Sequence, residues 1–142
     1  MKIYVASSWR NTQQPTVVEV LRQDGHEVYD YKNPSPGDYG FEWSEIDPNW
    51  QAWTPDAYLK ALDHPLSVSG FNQDMDALRE CDACVMVMPC GPSASMELGW
   101  AAGAGKHTLI YIPATREPDL MIKMADFIST DLQEIRSKLL SY

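Results

Sequence analysis

Short apolar runs alternate along the chain with segments in which apolar residues recur at helical spacing. The runs predict strands at 2–6, 27–30, 83–88 and 107–112, with a short fifth strand at 126–129. Between them, the spacing predicts helices from Pro15 to the Asp24-Gly25 stop, from Ser67 or Ser69 to Arg79, from Ala94 to Ala104, and from Leu132 to Leu140. Apolar strands that alternate with helices are typical of a parallel sheet covered on both faces. We therefore predict one doubly wound α/β domain over residues 1–142, with four to five parallel strands.

Residues 33–57 interrupt this alternation. Four prolines and two glycines in this stretch predict an irregular loop. The loop region carries aromatic side chains interleaved with acids: Tyr39, Phe41, Trp43, Trp50, Trp53 and Tyr58 with Asp38, Glu42, Glu45, Asp47 and Asp56. Two interpretations stay open, a hydrophobic cluster that holds a long loop in place and a wall of stacking faces for a planar ligand. The same two interpretations apply to Trp9. Trp100, in contrast, is expected to pack within the protein.

The charge balance restricts the partners. Among 142 residues, 20 are acidic and 11 are basic, which gives a formal net charge of −9. Phosphate-backbone contacts need clustered lysine and arginine, so a nucleic-acid polymer is excluded as a general partner, and an anionic membrane surface is disfavoured. No apolar run approaches the roughly 20 residues of a spanning helix, and the N-terminal sequence lacks the pattern of a signal peptide. We expect a cytoplasmic protein.

Three cysteines, Cys81, Cys84 and Cys90, do not form an even disulfide framework. Cys81 and Cys84 have CxxC spacing, but they precede a predicted strand, whereas a redox pair lies at a helix N-terminus that stabilises the thiolate. A zinc site needs two further ligands, and the three histidines lack ligand spacing. We expect buried or half-buried thiols, no metal site and no cofactor.

Ligands of doubly wound sheets bind at the carboxyl ends of the strands. The segments expected at this edge are Ser7-Ser8-Trp9 after the first strand, the 33–57 loop, Cys90–Ser95 after the third strand, and the residues after Ile112. Two common phosphate loops are excluded there. The string Gly103-Ala-Gly-Lys106 ends a helix and lacks the Walker spacing, and no GxGxxG follows the first strand.

Glu97 lies in the first turn of the helix predicted from Ala94. An acid at this position often does no more than stabilise the positive end of the helix dipole. The functional interpretation is a carboxylate that the dipole keeps ionised as a nucleophile. A second carboxylate would then manage the proton of the leaving base at a sugar C–N bond. Asp74, Asp76 and Asp82 are the candidates, and periodicity does not separate them.

With these residues collected, the chain resembles the nucleoside 2-deoxyribosyltransferase family, which includes related nucleotide N-glycosidases. The resemblance rests on Ile3-Tyr-Val-Ala-Ser-Ser-Trp9, on Asn72-Gln-Asp-Met-Asp-Ala-Leu78, and on Met96-Glu-Leu-Gly-Trp-Ala101 followed by Gly105-Lys106. It implies a flavodoxin-like, more broadly Rossmann-like, fold and a homo-oligomer with active sites at subunit contacts. It also implies that Glu97 is the nucleophile, that Asp74 handles the base proton, and that Tyr4 hydrogen-bonds the nucleophile.

The chain departs from the family pattern in the turn before Glu97. Where the transferases often carry an acid that holds the sugar hydroxyls, this chain has Gly91, with Ser93 and Ser95 close by. The monophosphate glycosidases place serines in this turn to hold the 5′-phosphate, a role that suits both serines. Asp119, in contrast, corresponds to a further phosphate-binding serine and would repel phosphate. The resemblance carries no function onto residues 38–66.

We therefore predict an enzyme that cleaves or transfers at the N-glycosidic bond of a (deoxy)nucleoside or small nucleoside derivative, through a glycosyl-enzyme on Glu97. In this hypothesis the substrate oxygens are held by Ser7, Ser93 and Ser95, the base stacks on Trp9 and Trp43, and Ser8 and Gly91 complete the substrate-binding set. Three alternatives stay open: a 2′-deoxynucleoside 5′-monophosphate N-glycosidase, a non-catalytic sensor of a nucleotide-like ligand, and NAD cleavage by the same glutamate.

The acceptor of the glycosyl group, water or a second base, is also left open by the sequence. Subunit contacts are one interpretation of the apolar residues Met121, Ile122, Met124 and Phe127, and a place in the core is the other.

Overall fold

The computed structural model describes residues 1–114 and 117–142. Five strands form one sheet in which every neighbouring pair is parallel: β1 (Lys2–Ala6), β2 (Glu27–Asp30), β3 (Ala83–Val87), β4 (His107–Tyr111) and β5 (Phe127–Ser129). The strand order is β2-β1-β3-β4-β5, which is the flavodoxin-like order, with a reversal between β1 and β3. The predicted doubly wound α/β fold is confirmed, and each predicted strand is present within one residue of its predicted bounds.

Five α-helices connect or follow the strands: α1 (Gln14–Gln23), α2 (Pro55–Ala61), α3 (Pro65–Glu80), α4 (Pro92–Gly103) and α5 (Leu132–Leu140). Two residues after α4, Gly105 has a φ of 73°, the left-handed conformation that glycine adopts readily at the end of a helix. In the described part of the chain, no helix combines the length and the apolar character needed to cross a membrane.

The sheet is buried on both faces. On one face, α1 and α5 cover a core that includes Ile3 and Val5. On the other face, α3 and α4 cover a second core that includes Tyr4, Met86 and Ile110. Alternate residues of one strand therefore serve opposite cores, which explains why the strands are continuously apolar.

Residues 33–57 are less irregular than predicted. Trp43–Glu45 and Trp50–Ala52 form short 3-10 turns, and Pro55 begins α2, which the predicted elements did not include. The prediction failed because proline was taken as a breaker, whereas at the first position of a helix it loses no hydrogen bond. The Thr54 hydroxyl caps this helix by accepting a hydrogen bond of 3.2 Å from Ala57 N.

Helix α3 begins at Pro65, earlier than predicted, where His64 Nδ1 accepts a hydrogen bond of 3.1 Å from Leu66 N. The helical spacing predicts Phe71 and Leu78 on one side, yet Leu78 is buried and Phe71 is 63% exposed. A helix of 16 residues is roughly 24 Å long, whereas a five-residue strand spans roughly 17 Å. The first turns of α3 therefore project past the carboxyl edge of the sheet.

The cysteines are buried or half-buried free thiols, as predicted. Cys81 Sγ donates a hydrogen bond of 3.1 Å to the Leu78 carbonyl oxygen. Burial raises the pKa of all three thiols. A raised pKa disfavours the thiolate that redox chemistry needs.

Candidate active site

A cavity of about 380 Å³ opens at the carboxyl edge of the sheet, near the reversal between β1 and β3. Its walls come from the loops after β1 and β2, from the aromatic loop (residues 38–53), from α3 and from the start of α4. Its charged and aromatic lining consists of the acids Glu42, Asp74 and Glu97, the cation Arg10, and the rings of Trp9, Tyr31, Phe41, Trp43 and Trp50. The lining therefore combines carboxyl groups with aromatic rings on which a planar ligand can stack.

Two tyrosines on neighbouring strands are matched with two carboxyl groups on neighbouring helices. Tyr4 on β1 and Tyr29 on β2 are register partners, and their rings stack with centroids 5.2 Å apart. Tyr29 Oη donates a hydrogen bond of 2.6 Å to Asp74 Oδ1 on α3. The Tyr4 hydroxyl faces Glu97 on α4 and acts to lower the pKa of that carboxyl group. The register between β1 and β2 therefore determines where each carboxyl group lies close to a tyrosine hydroxyl.

The Tyr4 hydroxyl is buried, and it has no completed hydrogen bond among the described residues. Its approach to Glu97 is close enough to favour the carboxylate, but the geometry of a hydrogen bond is not reached. A buried polar group left unpaired costs about 1–3 kcal/mol. The contact that the resemblance implies between Tyr4 and Glu97 is therefore a close approach rather than a formed bond.

Burial, and secondly the charge of Asp74, raise the pKa of Glu97 to about 8. Helix α4 begins at Pro92, so Glu97 lies in its second turn. The prediction that Glu97 lies in the first turn was therefore wrong. Burial acts against the ionised form that the dipole was expected to favour. The dipole effect falls off within the first turn, whereas loss of solvation acts on any buried charge.

Asp74 is the one of the three candidate acids that lines the cavity. Asp76 is exposed and pairs with Arg79 at 2.8 Å, and Asp82 accepts a hydrogen bond from Lys2 N at the opposite edge of the sheet. Burial raises the pKa of Asp74, while the hydrogen bond from Tyr29 lowers it. Since the charge of Asp74 raises the pKa of Glu97, Asp74 ionises first and the pair keeps a proton up to about pH 8.

The aromatic loop is fastened to α3. Asp38 accepts hydrogen bonds from Gly40 N at 2.9 Å and from Gln73 Nε2 at 3.0 Å. Phe41 packs on Gly70 of α3, where an added Cβ would lie 3.0 Å from the Phe41 Cβ. The loop thus closes one side of the cavity.

Trp43 fits both interpretations of the aromatic loop. Its ring makes edge contacts with Phe41, Trp53 and Tyr58, at centroid distances of 4.9, 5.7 and 5.8 Å. It also lines the cavity, as does Trp9. Trp100, in contrast, is 38% exposed and lies outside the cavity lining. Most of its surface is covered, in line with the expectation that it packs, and the remainder lies on the face of α4 that also exposes Met96.

Six predicted site residues line the cavity: Ser7, Trp9, Trp43, Asp74, Ser93 and Glu97. Four others do not, and one of them is Tyr4, which is buried in the sheet. Ser8 Oγ accepts a hydrogen bond from Arg10 N, Gly91 is the N-cap of α4, and the Ser95 hydroxyl acts to lower the pKa of the Cys90 thiol.

The hydrogen of the Ser7 hydroxyl is already used. Ser7 Oγ donates a hydrogen bond of 2.8 Å to the Val87 carbonyl oxygen. A carbonyl oxygen only accepts, so Ser7 can offer a ligand its lone pairs but not its hydrogen.

Several residues at the cavity were not predicted, among them Arg10, Tyr31 and Gln73 in its lining and Tyr29, which bonds to Asp74. Arg10 directly follows Ser7-Ser8-Trp9 and Tyr31 directly follows β2, so the rule that ligands bind at this edge could have found both. Tyr29 and Gln73 have no such signal. Their roles depend on strand register and on a contact between the loop and α3, which are tertiary features.

The close approach of Gly40 to Tyr31 gives a testable prediction about the aromatic loop. Gly40 has a φ of 77°, and an added Cβ would overlap the Tyr31 carbonyl oxygen. Gly37 has a φ of 83° with nothing near its Cβ position, so Gly37→Ala is a matched control. We expect a loss of about 1–2 kcal/mol in the control from backbone strain alone, and at least about 1 kcal/mol more in Gly40→Ala. Equal losses in urea unfolding would contradict this packing.

The comparisons with known proteins agree with the fold described above. No family model matches the chain, and no curated protein matches it. A solved 2-deoxyribosyltransferase from Bacillus psychrosaccharolyticus superimposes with a TM-score of 0.66, over 95% of this chain and 90% of that one, at 20% identity. A CMP N-glycosidase from Clostridium botulinum superimposes with a TM-score of 0.50, over 100% of both chains, at 20% identity.

These two structures support, at the level of the fold, the resemblance that the sequence motifs indicated. Among the described residues, no group of three or more histidine, cysteine, aspartate or glutamate side chains is arranged to hold a metal ion. What the cavity offers is a pair of carboxyl groups that share a proton, one phenol aimed at each, and several aromatic faces. The chain thus has the α/β fold of a 2-deoxyribosyltransferase and of a CMP N-glycosidase, with two carboxyl groups at its switch-point cavity.

Proposed function

We propose that the protein cleaves or transfers at the N-glycosidic bond of a nucleoside or nucleotide. The observation that carries this proposal is that Glu97 and Asp74 line one cavity together with Trp9 and Trp43. Breaking a sugar C–N bond needs a group that attacks carbon and a group that supplies a proton to the departing base. The aromatic faces suit the planar base, and the two similar folds belong to enzymes named for glycosyl chemistry.

In the proposed mechanism, Glu97 attacks the anomeric carbon. A bond forms between a Glu97 carboxylate oxygen and C1′, and the electrons of the breaking C1′–N bond move onto the base. When the substrate is bound, the proton that Glu97 holds in the free protein passes to Asp74, which leaves Glu97 as the attacking carboxylate. Asp74 then protonates the base as it leaves, and Tyr29 orients Asp74 through the 2.6 Å hydrogen bond. Tyr4 positions Glu97. In the second step, water or the nitrogen of a second base attacks C1′, gives its proton to the Asp74 carboxylate and breaks the Glu97–C1′ bond, which restores the Glu97 carboxylate. Attack by water makes the enzyme a hydrolase, and attack by a second base makes it a transferase.

A 5′-phosphate on the substrate is supported by one feature of the cavity. Arg10 is the only basic side chain among the described residues that line it, and Ser93 is also part of the lining. Ser93 belongs to the first turn of α4, where free N–H groups and the helix dipole favour an anion. We therefore keep a nucleoside 5′-monophosphate as the second candidate substrate.

The first test is chromatography of the protein incubated with deoxynucleosides, ribonucleosides and their 5′-monophosphates, each with and without a second free base. We expect release of the base, or its exchange. Exchange that requires the second base identifies a transferase, and release without it identifies a hydrolase. NAD belongs in the same panel, since nicotinamide release would reveal cleavage of that N-glycoside. Tight binding without turnover, unchanged in Glu97→Gln, would contradict the proposal and favour a sensor.

A homo-oligomer is also proposed. Helices α3 and α4 expose Phe71 and Met96, which are 63% and 76% accessible. Met121 and Met124 are also exposed, whereas Ile122 and Phe127 pack against the two cores. Large exposed apolar side chains of this kind are candidates for a contact between copies of the chain. Light scattering that gives the mass of one chain at micromolar concentration would contradict this proposal.

A further inference from the structure

The Tyr31 side chain has no role in the mechanism above, although the residue lines the cavity. Tyr31 follows β2, and its ring packs edge-on against Trp9 with centroids 5.5 Å apart. Its Oη is buried and has no hydrogen-bond partner among the described residues. The residue is nevertheless part of the cavity wall. A phenol of this kind is a hydrogen-bond donor with nothing to donate to in the free protein.

The surroundings of Tyr31 indicate which part of a ligand it would meet. The Tyr31 ring packs on Trp9, in the loop after β1 that also carries Ser7, and Ser7 is bonded to Val87 at the end of β3, the strand that leads into α4 and Glu97. These contacts place Tyr31 on the Glu97 side of the cavity. Burial raises the pKa of the Tyr31 hydroxyl, and the charge of Glu97 raises it further. The neighbouring Asp30 is already bonded to Gln14, Lys32 and Asn33. In the proposed function, the Glu97 side holds the sugar and the Asp74 side holds the base.

We propose that Tyr31 is a substrate-binding residue whose hydroxyl donates a hydrogen bond to an oxygen of the sugar. This inference rests on the proposed function for the orientation of the substrate. Ser7 lines the same cavity but has already donated its hydrogen to Val87, so Tyr31 supplies a donor that Ser7 cannot supply. The unpaired hydroxyl destabilises the free protein, and a bound sugar would remove that penalty.

The test is Tyr31→Phe, which keeps the ring and its contact with Trp9. We expect kcat/KM to fall about tenfold, as for the loss of one hydrogen bond, and by the same factor for substrates that share a sugar but differ in base. The Tm of the free protein should stay unchanged or rise by roughly 2–4 °C, because an unpaired buried group is removed. Tyr142→Phe is the matched control: that ring stacks on His107 at the start of β4, far from the cavity, and neither quantity should change.

Two measurements separate this inference from the proposed function. If wild-type protein turns over and Glu97→Gln does not, but Tyr31→Phe equals wild type, the inference alone fails. Binding of the same nucleosides can also be measured by calorimetry, which requires no turnover. The proteins to compare are Glu97→Gln and the double variant that also carries Tyr31→Phe. About tenfold weaker binding in the double variant supports Tyr31 even if the catalytic proposal fails. A loss of kcat/KM that differs from base to base, or a fall in Tm with no change in binding, would overturn the assignment to the sugar.

Discussion

Replacing Glu97 by glutamine is expected to lower kcat for base release or exchange by at least about 10³-fold. The variant keeps the size and half-buried position of the side chain but lacks the carboxylate oxygen that attacks C1′, and loss of a nucleophile typically costs several orders of magnitude. The walls of the cavity stay unchanged, so the dissociation constant for substrate should change much less than kcat. Single-turnover chromatography and calorimetric binding measure the two quantities separately.

Glu19→Gln is a matched control for this experiment. It makes the same chemical change on the exposed side of α1, so the rates should equal those of the wild type. Acid-quenched wild-type protein should also carry the mass of one glycosyl group, and Glu97→Gln should not. Retention of more than a tenth of the wild-type kcat in Glu97→Gln would refute Glu97 as the nucleophile.

The same substitution is expected to stabilise the free protein in a pH-dependent way. The pKa of Glu97 rises from an ordinary value of 4.5 to about 8 on folding. Between these two values the unfolded chain releases the proton while the folded chain retains it, so wild-type stability falls as the pH rises. Glutamine has no such proton. The Tm of the variant should therefore exceed that of the wild type by more at pH 8 than at pH 5.

The elements of the fold could be predicted because both of their signals are local. Burial on two faces makes each strand an apolar run, and helix periodicity between the runs fixes the alternation. Because the strands are parallel, the sequence alone indicates which residues lie at the carboxyl edge of the sheet. Ser7, Trp9 and Ser93 were predicted in this way. The errors were also local: Pro55 was counted as a helix breaker although it begins α2, and α3 begins at Pro65 rather than at Ser67 or Ser69.

The site residues that escaped prediction depend on distances across the fold. Tyr29 meets Asp74 only because β2 pairs with β1 in a register that stacks Tyr29 beside Tyr4. The protonation of Glu97 depends on burial beside Asp74, which helical spacing does not show. Periodicity left three aspartates equivalent, and only the packing of α3 distinguishes Asp74 from the exposed Asp76.

Replacing Asp74 by asparagine is expected to lower kcat/KM roughly 10²- to 10³-fold for nucleosides with a neutral base, as for the loss of a general acid. The wild-type carboxyl pair keeps its last proton up to about pH 8, so activity should fall above that pH when no proton is left for the base. In Asp74→Asn this alkaline limb should disappear. Because the charge of Asp74 raises the pKa of Glu97, Glu97 in the variant should also ionise at lower pH.

The choice of leaving group makes this prediction specific to proton transfer. A nucleoside whose purine is methylated at N7 already carries a positive charge, so its base can leave without being protonated. Asp74→Asn should therefore lose less than about tenfold on this substrate while losing at least about 10²-fold on the unmethylated one. Asp76→Asn, two residues away on the exposed face of α3, is the matched control and should lose neither. An equal loss on both substrates would mean that Asp74 shapes the cavity or binds the base rather than supplying the proton.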